Sequence, residues 1–274
     1  MNRQTASSQR WKPSPLLYAS AAIHAGAAAS LLLRPGVWPW ALGAVAANHA
    51  ALAAAGLWPR CRLLGPNLTR LPAIAGNTVA ITIDDGPEPD VTPQLLTLLT
   101  EYSAHATFFC VGERVLRHAD LAREIVRRGH AIENHSQRHR HDFSLLGPKR
   151  MRAEVSRAQD SIAGVTGIAP QFFRAPAGLR NPFLDPVLQR LGLRLASWTR
   201  RGFDTVSGDA DAVYRRVAGP LGAGDILLMH DGNAARSSRG IPVILEVLPR
   251  LLDALASQGL TTATLRAALP GRLS

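Results

Sequence analysis

Two adjacent carboxylates, Asp84 and Asp85, end an apolar run and are followed directly by Gly86 and Pro87. Neighbouring side chains of a strand point to opposite faces, so both carboxylates can serve one site only if the chain turns there. Gly-Pro predicts that turn. Two buried carboxylates are unfavourable without a cation or a charged partner. Taken alone, the motif is more typical of a turn cap, so a catalytic role depends on the other clusters.

Two histidines, His135 and His139, follow another apolar run at a spacing of four residues. This spacing predicts a helical turn with both imidazoles on one face, an arrangement that suits a single metal ion. An isolated pair would fit two surface histidines equally well. With a carboxylate from the earlier strand end, however, the pair forms a two-histidine, one-carboxylate site with positions left for water and substrate. The combination indicates metal-assisted hydrolysis.

Arg174 and His230 follow two further apolar runs. An arginine beside a buried carboxylate keeps it ionised and oriented, and a histidine on the opposite wall can protonate a leaving amine. Singly, each residue is more often structural, as an ion-pair partner or a core histidine. Because four strand ends each supply a suitable group, a shared hydrolytic site is the better explanation.

These clusters lie within a regular alternation of short apolar runs and longer amphipathic stretches after residue 77. Strands are predicted at 79–83, 106–111, 131–133, 172–174, 194–197, 225–229 and 262–265. Helices are predicted at 92–103, 113–128, 148–166, 182–191, 211–221 and 241–258. The alternation predicts an α/β fold with a parallel sheet, open or closed into a barrel, and an active site at the carboxyl ends of the strands.

Together the clusters resemble the motifs of the polysaccharide deacetylase family, also called the NodB-homology or carbohydrate esterase family 4 domain. The resemblance covers roughly residues 77–265. Its motifs are T-I-D-D-G-P at 82–87, H-S-x-x-H at 135–139 and R-x-P-x-G at 174–178, supported by A-T-F-F at 106–109 and G-H-A-I at 129–132. The resemblance implies a distorted (β/α) barrel of about seven parallel strands.

The resemblance also implies the roles of the metal ligands and of the base. Asp85, His135 and His139 would bind one divalent metal ion, zinc in the first place and otherwise cobalt, manganese or nickel. Asp84 would be the general base, and Arg174 would orient it.

The remaining roles implied by the resemblance concern the leaving group and the acyl pocket. His230 would be the general acid, tuned by Asp204. The backbone N–H of Ala177 would help to stabilise the oxyanion. Trp198 would form a wall of the acyl pocket, although a core role for this side chain is an equal alternative.

Three positions depart from the family pattern. The family usually has an aromatic residue where Ala177 stands and a tryptophan where Thr205 follows Asp204. A further acid of the family falls on Arg201. These departures lie in the substrate groove and leave the metal ligands intact, so they bear on the sugar substrate and not on the hydrolysis.

The first 76 residues have a different composition, without a single Asp or Glu. Two uncharged apolar stretches, at about 15–33 and 37–58, are each long enough to cross a bilayer as a helix. We interpret residues 1–70 as a membrane-anchoring hairpin and residues 71–274 as the catalytic domain. A signal peptide is the main alternative for the first stretch, but the second apolar run directly after it favours the hairpin.

The charge distribution predicts partners and topology. The net charge of +11 indicates an anionic membrane surface as the partner and not nucleic acid, because basic and aromatic residues are not interleaved. Positive residues flank both outer ends of the hairpin, whereas Arg34 is alone in the link. The positive-inside rule therefore predicts a multi-pass protein of a bacterial inner membrane with a cytoplasmic catalytic domain.

The sequence thus predicts a membrane-anchored, metal-dependent hydrolase that removes an N-acyl group, acetyl foremost, from an amino sugar of a polysaccharide or lipid-linked glycan. Removal of an O-acetyl ester from a carbohydrate would use the same residues and stays an alternative. A non-catalytic membrane protein that binds glycans is a third hypothesis. The complete set of motifs argues against it, because a relic site should have lost at least one member.

Overall fold

The computed structural model describes residues 11–269, so the outermost ends of the two predicted domains, 1–10 and 270–274, lie outside the described residues. One parallel sheet forms its centre, with neighbouring strands in the order β5-β4-β3-β2-β1-β7-β6 and β8 beside the start of β1. The strands are β1 (Thr78–Asp84), β2 (Ala106–Cys110), β3 (Ala131–Asn134), β4 (Phe172–Phe173), β5 (Arg194–Leu195), β6 (Arg200–Arg201), β7 (Ile226–His230) and β8 (Thr261–Thr262).

Helices connect most of these strands, as parallel pairing requires. The two N-terminal helices are α1 (Pro15–Leu33) and α2 (Trp38–Leu57). The others are α3 (Thr92–Glu101), α4 (Gly112–Arg117), α5 (Ala119–Arg127), α6 (Pro148–Thr166), α7 (Leu184–Arg190), α8 (Ala210–Val217), α9 (Val243–Ser257) and α10 (Leu265–Ala268).

The sheet is curled, and apolar side chains cover both of its faces. On β1, Val79, Ile81 and Ile83 pack outward in a cluster that includes residues of α3 and α9. Ala80, between them, belongs to a second cluster inside the curl, which includes residues of α10. A central parallel strand that is buried on both faces explains why β1 is a continuous apolar run up to its final carboxylate. The seven parallel strands form a half-barrel, which confirms the predicted fold.

The edge strands β5 and β6 do not pair with each other, and the segment 59–71 lies across the opening between them. Leu68 bridges Ala196, donating from its N–H to the carbonyl of Leu195 at 2.9 Å. The N–H of Leu71 donates to the carbonyl of Gly224 at 2.8 Å. These hydrogen bonds pair some of the backbone N–H and C=O groups along the open side of the sheet. Left unpaired, such groups could bind a strand of another chain. Residues that follow α2 therefore complete the wall of the half-barrel.

Three element predictions were wrong in detail. The predicted strand 262–265 ends at Thr262, because Thr264 caps α10 by accepting a hydrogen bond from the N–H of Ala267 at 3.2 Å. The predicted helix 113–128 is divided into α4 and α5 at His118, whose backbone is not helical. Strand β6 was not predicted, since two adjacent arginines carry no apolar signal.

The two N-terminal helices form a hairpin joined by a short turn. Asn48 Nδ2 donates to Ser20 Oγ at 2.9 Å, and the Nε2 atoms of His24 and His49 lie 3.3 Å apart. Most other side chains of the hairpin are exposed although they are apolar. By length and composition, both helices could cross a membrane.

Candidate active site

The carboxyl ends of β1, β3, β4 and β7 meet at one cavity of about 260 Å3. Seven of the nine residues singled out from the sequence line it, and the other two, Arg174 and Asp204, are buried behind the lining residues. The seven are Asp84, Asp85, His135, His139, Ala177, Trp198 and His230. The fold thus brings together residues as far apart in sequence as Asp84 and His230, which are separated by 146 positions.

Asp85, His135 and His139 form the group that fits a metal ion. One potential ligand atom of each lies within 4.8 Å of the others. Asp85 Oδ1 is 3.3 Å from His135 Nε2 and 3.2 Å from His139 Nε2. Neither contact has hydrogen-bond geometry, and this buried oxygen has no hydrogen-bond partner. A buried acceptor without a donor needs an explanation, and a shared cation between a carboxylate and two imidazoles supplies one.

The protonation states of these residues also suit a cation. His135 Nδ1 lies 2.9 Å from the carbonyl oxygen of Arg174, so Nδ1–H is the donor and Nε2 faces Asp85. Burial lowers the pKa of His135, but Asp84 and Asp85 outweigh it and raise this pKa above the ordinary histidine value, so the negative charge at Nε2 favours a cation there, a proton or a metal ion. Burial and the neighbouring His135 lower the pKa of His139 to about 4, so its ring is neutral at pH 7. Burial raises the pKa of Asp85, but the nearby imidazoles outweigh it and hold this pKa well below its usual value. An ionised carboxylate and neutral imidazoles are the forms that bind metals.

The loop that carries the two histidines is not the predicted helical turn. Residues 135–142 form no helix, and Ser136 and His139 have positive φ angles of 65° and 47°. Local hydrogen bonds hold this conformation: the N–H of Ser136 donates to Asn134 Oδ1 at 2.9 Å, and the N–H of His139 donates to Ser136 Oγ at 3.0 Å. The imidazoles converge because of this turn and not because of helical periodicity.

Asp84 faces the same cavity and pairs with a fully buried arginine. Arg174 Nη1 donates to Asp84 Oδ1 at 2.6 Å and to Thr82 Oγ1 at 2.8 Å. Its Nε and Nη2 donate to the carbonyls of Ala196 and Ser197. The side chain of Arg174 is 1% exposed, so the guanidinium is fixed in direction. One oxygen of Asp84 is therefore held by Arg174, and the other lies 3.8 Å from His135 Nε2.

His230 and Asp204 form a second pair on the wall opposite Arg174. Asp204 Oδ1 is 2.8 Å from His230 Nδ1, and Asp204 Oδ2 accepts from the His230 backbone N–H at 2.7 Å. Burial lowers the pKa of His230, but Asp204 outweighs it and raises this pKa above the ordinary histidine value. With Nδ1 bound to Asp204, Nε2 is the ring nitrogen left for a ligand in the cavity.

The loop after β4 brings Ala177 and the segment after β5 brings Trp198 to the cavity. Ala177 has a φ of 54°, a left-handed conformation that is strained for a residue with a Cβ. The next residue, Gly178, has a φ of 75°, and a Cβ there would lie 2.5 Å from Trp198 Cη2 and 2.7 Å from Pro59 Cβ. Trp198 belongs both to the cavity wall and to the inner core cluster. The loop is thus packed tightly between the tryptophan and the residues that follow α2.

Two residues at the end of β7 have contacts that the sequence reasoning missed. Asn233 Nδ2 donates to Asp85 Oδ2 at 3.1 Å, which orients that carboxylate. Asp231 Oδ2 accepts from Thr92 Oγ1 at 2.6 Å, and burial raises the pKa of Asp231 to about 7. Their nearness to His230 along the chain was the available signal, because residues that directly follow a strand end share its edge of the sheet.

The comparisons with known proteins agree with this geometry. The family model for polysaccharide deacetylase matches residues 74–196. A peptidoglycan-N-acetylglucosamine deacetylase of Bacillus cereus is 32% identical over 175 residues, which are 63% of this chain and 81% of that protein. The chain belongs to the polysaccharide deacetylase family. Membership confirms the resemblance found in the motifs and the predicted hydrolase class.

Two further polysaccharide deacetylase relatives extend the comparison. A chitooligosaccharide deacetylase of a Bradyrhizobium species is 33% identical over 156 residues, which are 57% of this chain and 71% of that protein. The solved structure of a family 4 carbohydrate esterase from Streptomyces lividans in complex with acetate superposes with a TM-score of 0.62 and 34% identity. It covers 69% of this chain and 92% of that chain. The half-barrel described above is therefore the family fold.

Proposed function

We propose that this chain hydrolyses the N-acetyl amide of an amino sugar in a polysaccharide or lipid-linked glycan. The observation that carries the proposal is the convergence of Asp85, His135 and His139 beside the Asp84 carboxylate in one cavity. The named activities of relatives support the substrate class, since they are deacetylases of N-acetylglucosamine in peptidoglycan and of chitooligosaccharides. The acetate in the related esterase structure supports acetyl as the acyl group.

In this proposal Asp84 is the general base that takes a proton from the attacking water. Its hydrogen bond to Arg174 leaves one carboxylate oxygen free to accept that proton. Arg174 does not touch the substrate but orients Asp84 and keeps its charge paired in a buried site.

His230 is the proposed general acid. Its Nδ1 bond to Asp204 favours the protonated imidazole, so Nε2–H donates to the leaving nitrogen. The leaving nitrogen must receive this proton before the C–N bond breaks, because an unprotonated amine is a poor leaving group. The backbone N–H of Ala177 donates to the oxyanion, and Trp198 borders the acyl group.

Asp85, His135 and His139 are the proposed ligands of the metal ion, which we expect to be zinc, with cobalt, manganese or nickel as alternatives. When bound, such an ion supplies Lewis-acid polarisation of the acyl carbonyl and lowers the pKa of water. Asn233 orients Asp85 from the side away from the two histidines.

Two substitutions test the assignment of base and ligands separately. Asp84→Asn should abolish release of acetate from N-acetylated glucosamine oligosaccharides while bound metal is retained. His139→Ala should lose both metal and turnover, and His105→Ala, which changes an exposed histidine outside the cavity, should lose neither. Substantial turnover in Asp84→Asn would remove the base assignment, and wild-type protein without stoichiometric metal would favour a glycan-binding role. Release of acetate from an O-acetylated but not an N-acetylated sugar would favour the esterase alternative.

We propose that residues 1–70 anchor the catalytic domain, residues 71–274, in a bacterial inner membrane, with α1 and α2 as the membrane-crossing part and the segment from residue 59 onward packed on the half-barrel. The support is the apolar surface of α1 and α2, where Leu32, Leu33 and Trp40 are each more than 80% exposed. So large an exposed apolar surface is unfavourable in water. If the first helix were instead a cleaved signal peptide, N-terminal sequencing of the isolated protein would begin after α1. We expect the full chain to remain in membranes after an alkaline wash.

We further propose that the catalytic domain faces the cytoplasm, because basic residues flank both outer ends of the hairpin. A fluorescent reporter fused to the C-terminus of the full chain should then be active, and an exported phosphatase fused there should be inactive. The reverse pattern would put the site outside, where peptidoglycan or an exported polysaccharide would be the substrate. A cytoplasmic site favours a lipid-linked precursor.

A further inference from the structure

Arg201 is a cation of the cavity wall to which the mechanism above assigns no role. It ends β6 and pairs in register with Leu228 of β7, two residues before His230. It lines the cavity together with Asp84, Asp85 and His230. Its neighbour Arg200, whose side chain points to the opposite face, pairs with Asp225 at 3.1 Å. Arg200 is thus paired with an acid outside the curled sheet, whereas Arg201 faces the cavity.

The guanidinium of Arg201 is held in place by aromatic rings and not by an acid. Its Cζ lies 5.6 Å from the ring centroid of Trp198 and 4.9 Å from that of Phe203. Within residues 11–269, no carboxylate oxygen lies within salt-bridge distance of it, and its buried Nε has no hydrogen-bond partner. Cation–π contacts hold the guanidinium beside the two rings but give its Nε no acceptor.

The acidic side chains near Arg201 are hydrogen-bonded to other residues. Both side-chain oxygens of Asp204 accept hydrogen bonds from His230, and Asp84 is paired with Arg174. In Arg174, by contrast, every nitrogen of the guanidinium donates a hydrogen bond to an oxygen of the protein. Buried donors almost always have partners, and because Arg201 lines the cavity, a ligand bound there is the acceptor that its Nε would meet.

We propose that Arg201 binds an anionic group of the substrate, a phosphate or a carboxylate carried by the same amino sugar whose acyl amide is cleaved. This inference rests on the proposed function and narrows its substrate class to acidic or phosphate-linked amino sugars. A planar guanidinium with free donors matches the geometry of both anions. Arg60, which directly follows Pro59 beyond α2, donates to the carbonyl of Thr199, two residues from Arg201. A sugar attached to a membrane lipid through phosphate would reach the site from that side.

The test measures binding of three small probes to the full, metal-loaded chain in detergent by calorimetry. The probes are methyl N-acetylglucosaminide, N-acetylglucosamine 1-phosphate and N-acetylmuramic acid, which are neutral, phosphorylated and carboxylated. We expect Arg201→Gln to weaken binding of at least one anionic probe about 10- to 100-fold and to change binding of the neutral probe less than about twofold. Arg201→Lys should keep part of the preference. Arg215→Gln, which removes an exposed cation of α8, should keep all of it.

The outcomes separate the sources and the hypotheses. Loss confined to the phosphorylated probe identifies a phosphate-linked sugar, and loss confined to the carboxylated probe identifies an acidic sugar. Equal weakening of all three probes, or no weakening in Arg201→Gln, would overturn the inference. Because binding is measured apart from turnover, absence of deacetylation with intact anion selectivity would count against the proposed function alone. Thermal unfolding of both Arg201 variants checks that each is folded.

Discussion

Arg174→Met removes the buried partner of Asp84 while it keeps an unbranched apolar side chain in the same space. Arg174 is 1% exposed and its guanidinium lies 4.1 Å from the ring centroid of Phe109. The variant leaves the Asp84 carboxylate buried at 4% exposure without the guanidinium that directly neutralises it. Removing one member of a buried ion pair destabilises a protein by about 3–5 kcal/mol, because the remaining charge has lost both water and its partner.

For a chain of this size, each kcal/mol shifts the midpoint of thermal unfolding by about 2–4 °C. The expected decrease for Arg174→Met is therefore about 6–20 °C, measured in detergent by tryptophan fluorescence. Arg123→Met is the matched control, since its pair with Asp120 is exposed and should contribute less than about 1 kcal/mol. A decrease for Arg174→Met no larger than that of the control would refute the reasoning.

The double variant Arg174→Met with Asp84→Asn distinguishes a stranded charge from lost packing. With the carboxylate gone, no ion is left uncompensated, so the double variant should unfold at a higher temperature than Arg174→Met alone. The two substitutions should be non-additive by at least about 1 kcal/mol, as for residues in direct contact. Strict additivity would mean that the stability comes from the four hydrogen bonds and the ring contact of Arg174, and not from its charge.

Three other outcomes follow from the same contacts. Burial lowers the pKa of His130 to about 4, so the unfolded chain binds more protons between pH 6.5 and 4 and stability falls as the pH falls. The His130→Asn variant should therefore lose up to about 3 kcal/mol less stability than the wild type when the pH falls, as measured by acid unfolding. Identical acid unfolding curves for the two proteins would contradict a lowered pKa of His130. The Gly178→Ala variant should be less stable and less active than the Gly167→Ala variant. Both glycines have positive φ, but only a Cβ on Gly178 would meet neighbouring side chains. Equal melting temperatures and turnover rates of the two variants would exclude this clash. Asp204→Asn should lower the pKa of His230 and move the alkaline limb of the pH–rate profile to lower pH, and an unmoved limb would remove His230 as the acid.

The strand ends that carry the chemistry were predictable because each combines two strong local signals. A short apolar run such as 79–83, rich in β-branched residues and followed by a turn, favours a buried strand, and a carboxylate directly after it then lies at the sheet edge. The same logic applied to His135, Arg174 and His230, all of which line or support one cavity. For His135, Arg174 and His230 the convergence needed no knowledge of loop structure, since parallel strands present their carboxyl ends on the same side.

What the sequence could not reveal depends on backbone conformations and on long-range contacts. The approach of His139 to Asp85 depends on positive φ angles at Ser136 and His139, which neither residue type favours strongly. Strand β6 is two residues long and is held by pairing with β7, not by its own propensity. The cavity-facing direction of Arg201 follows from that pairing, so its free guanidinium was invisible in a one-dimensional pattern.

The contacts after α2 link the position of the hairpin to the geometry of the site. Pro59 accepts a hydrogen bond from Ser197 Oγ at 2.7 Å and packs where any side chain on Gly178 would be. Gly178 in turn follows Ala177, whose strained backbone is proposed to face the oxyanion. Strained conformations persist only where their surroundings determine them, so the segment after α2 contributes to this one. If α2 lies in a bilayer, the membrane surface is therefore beside the acyl pocket, and the substrate that reaches it most directly is one already attached to lipid.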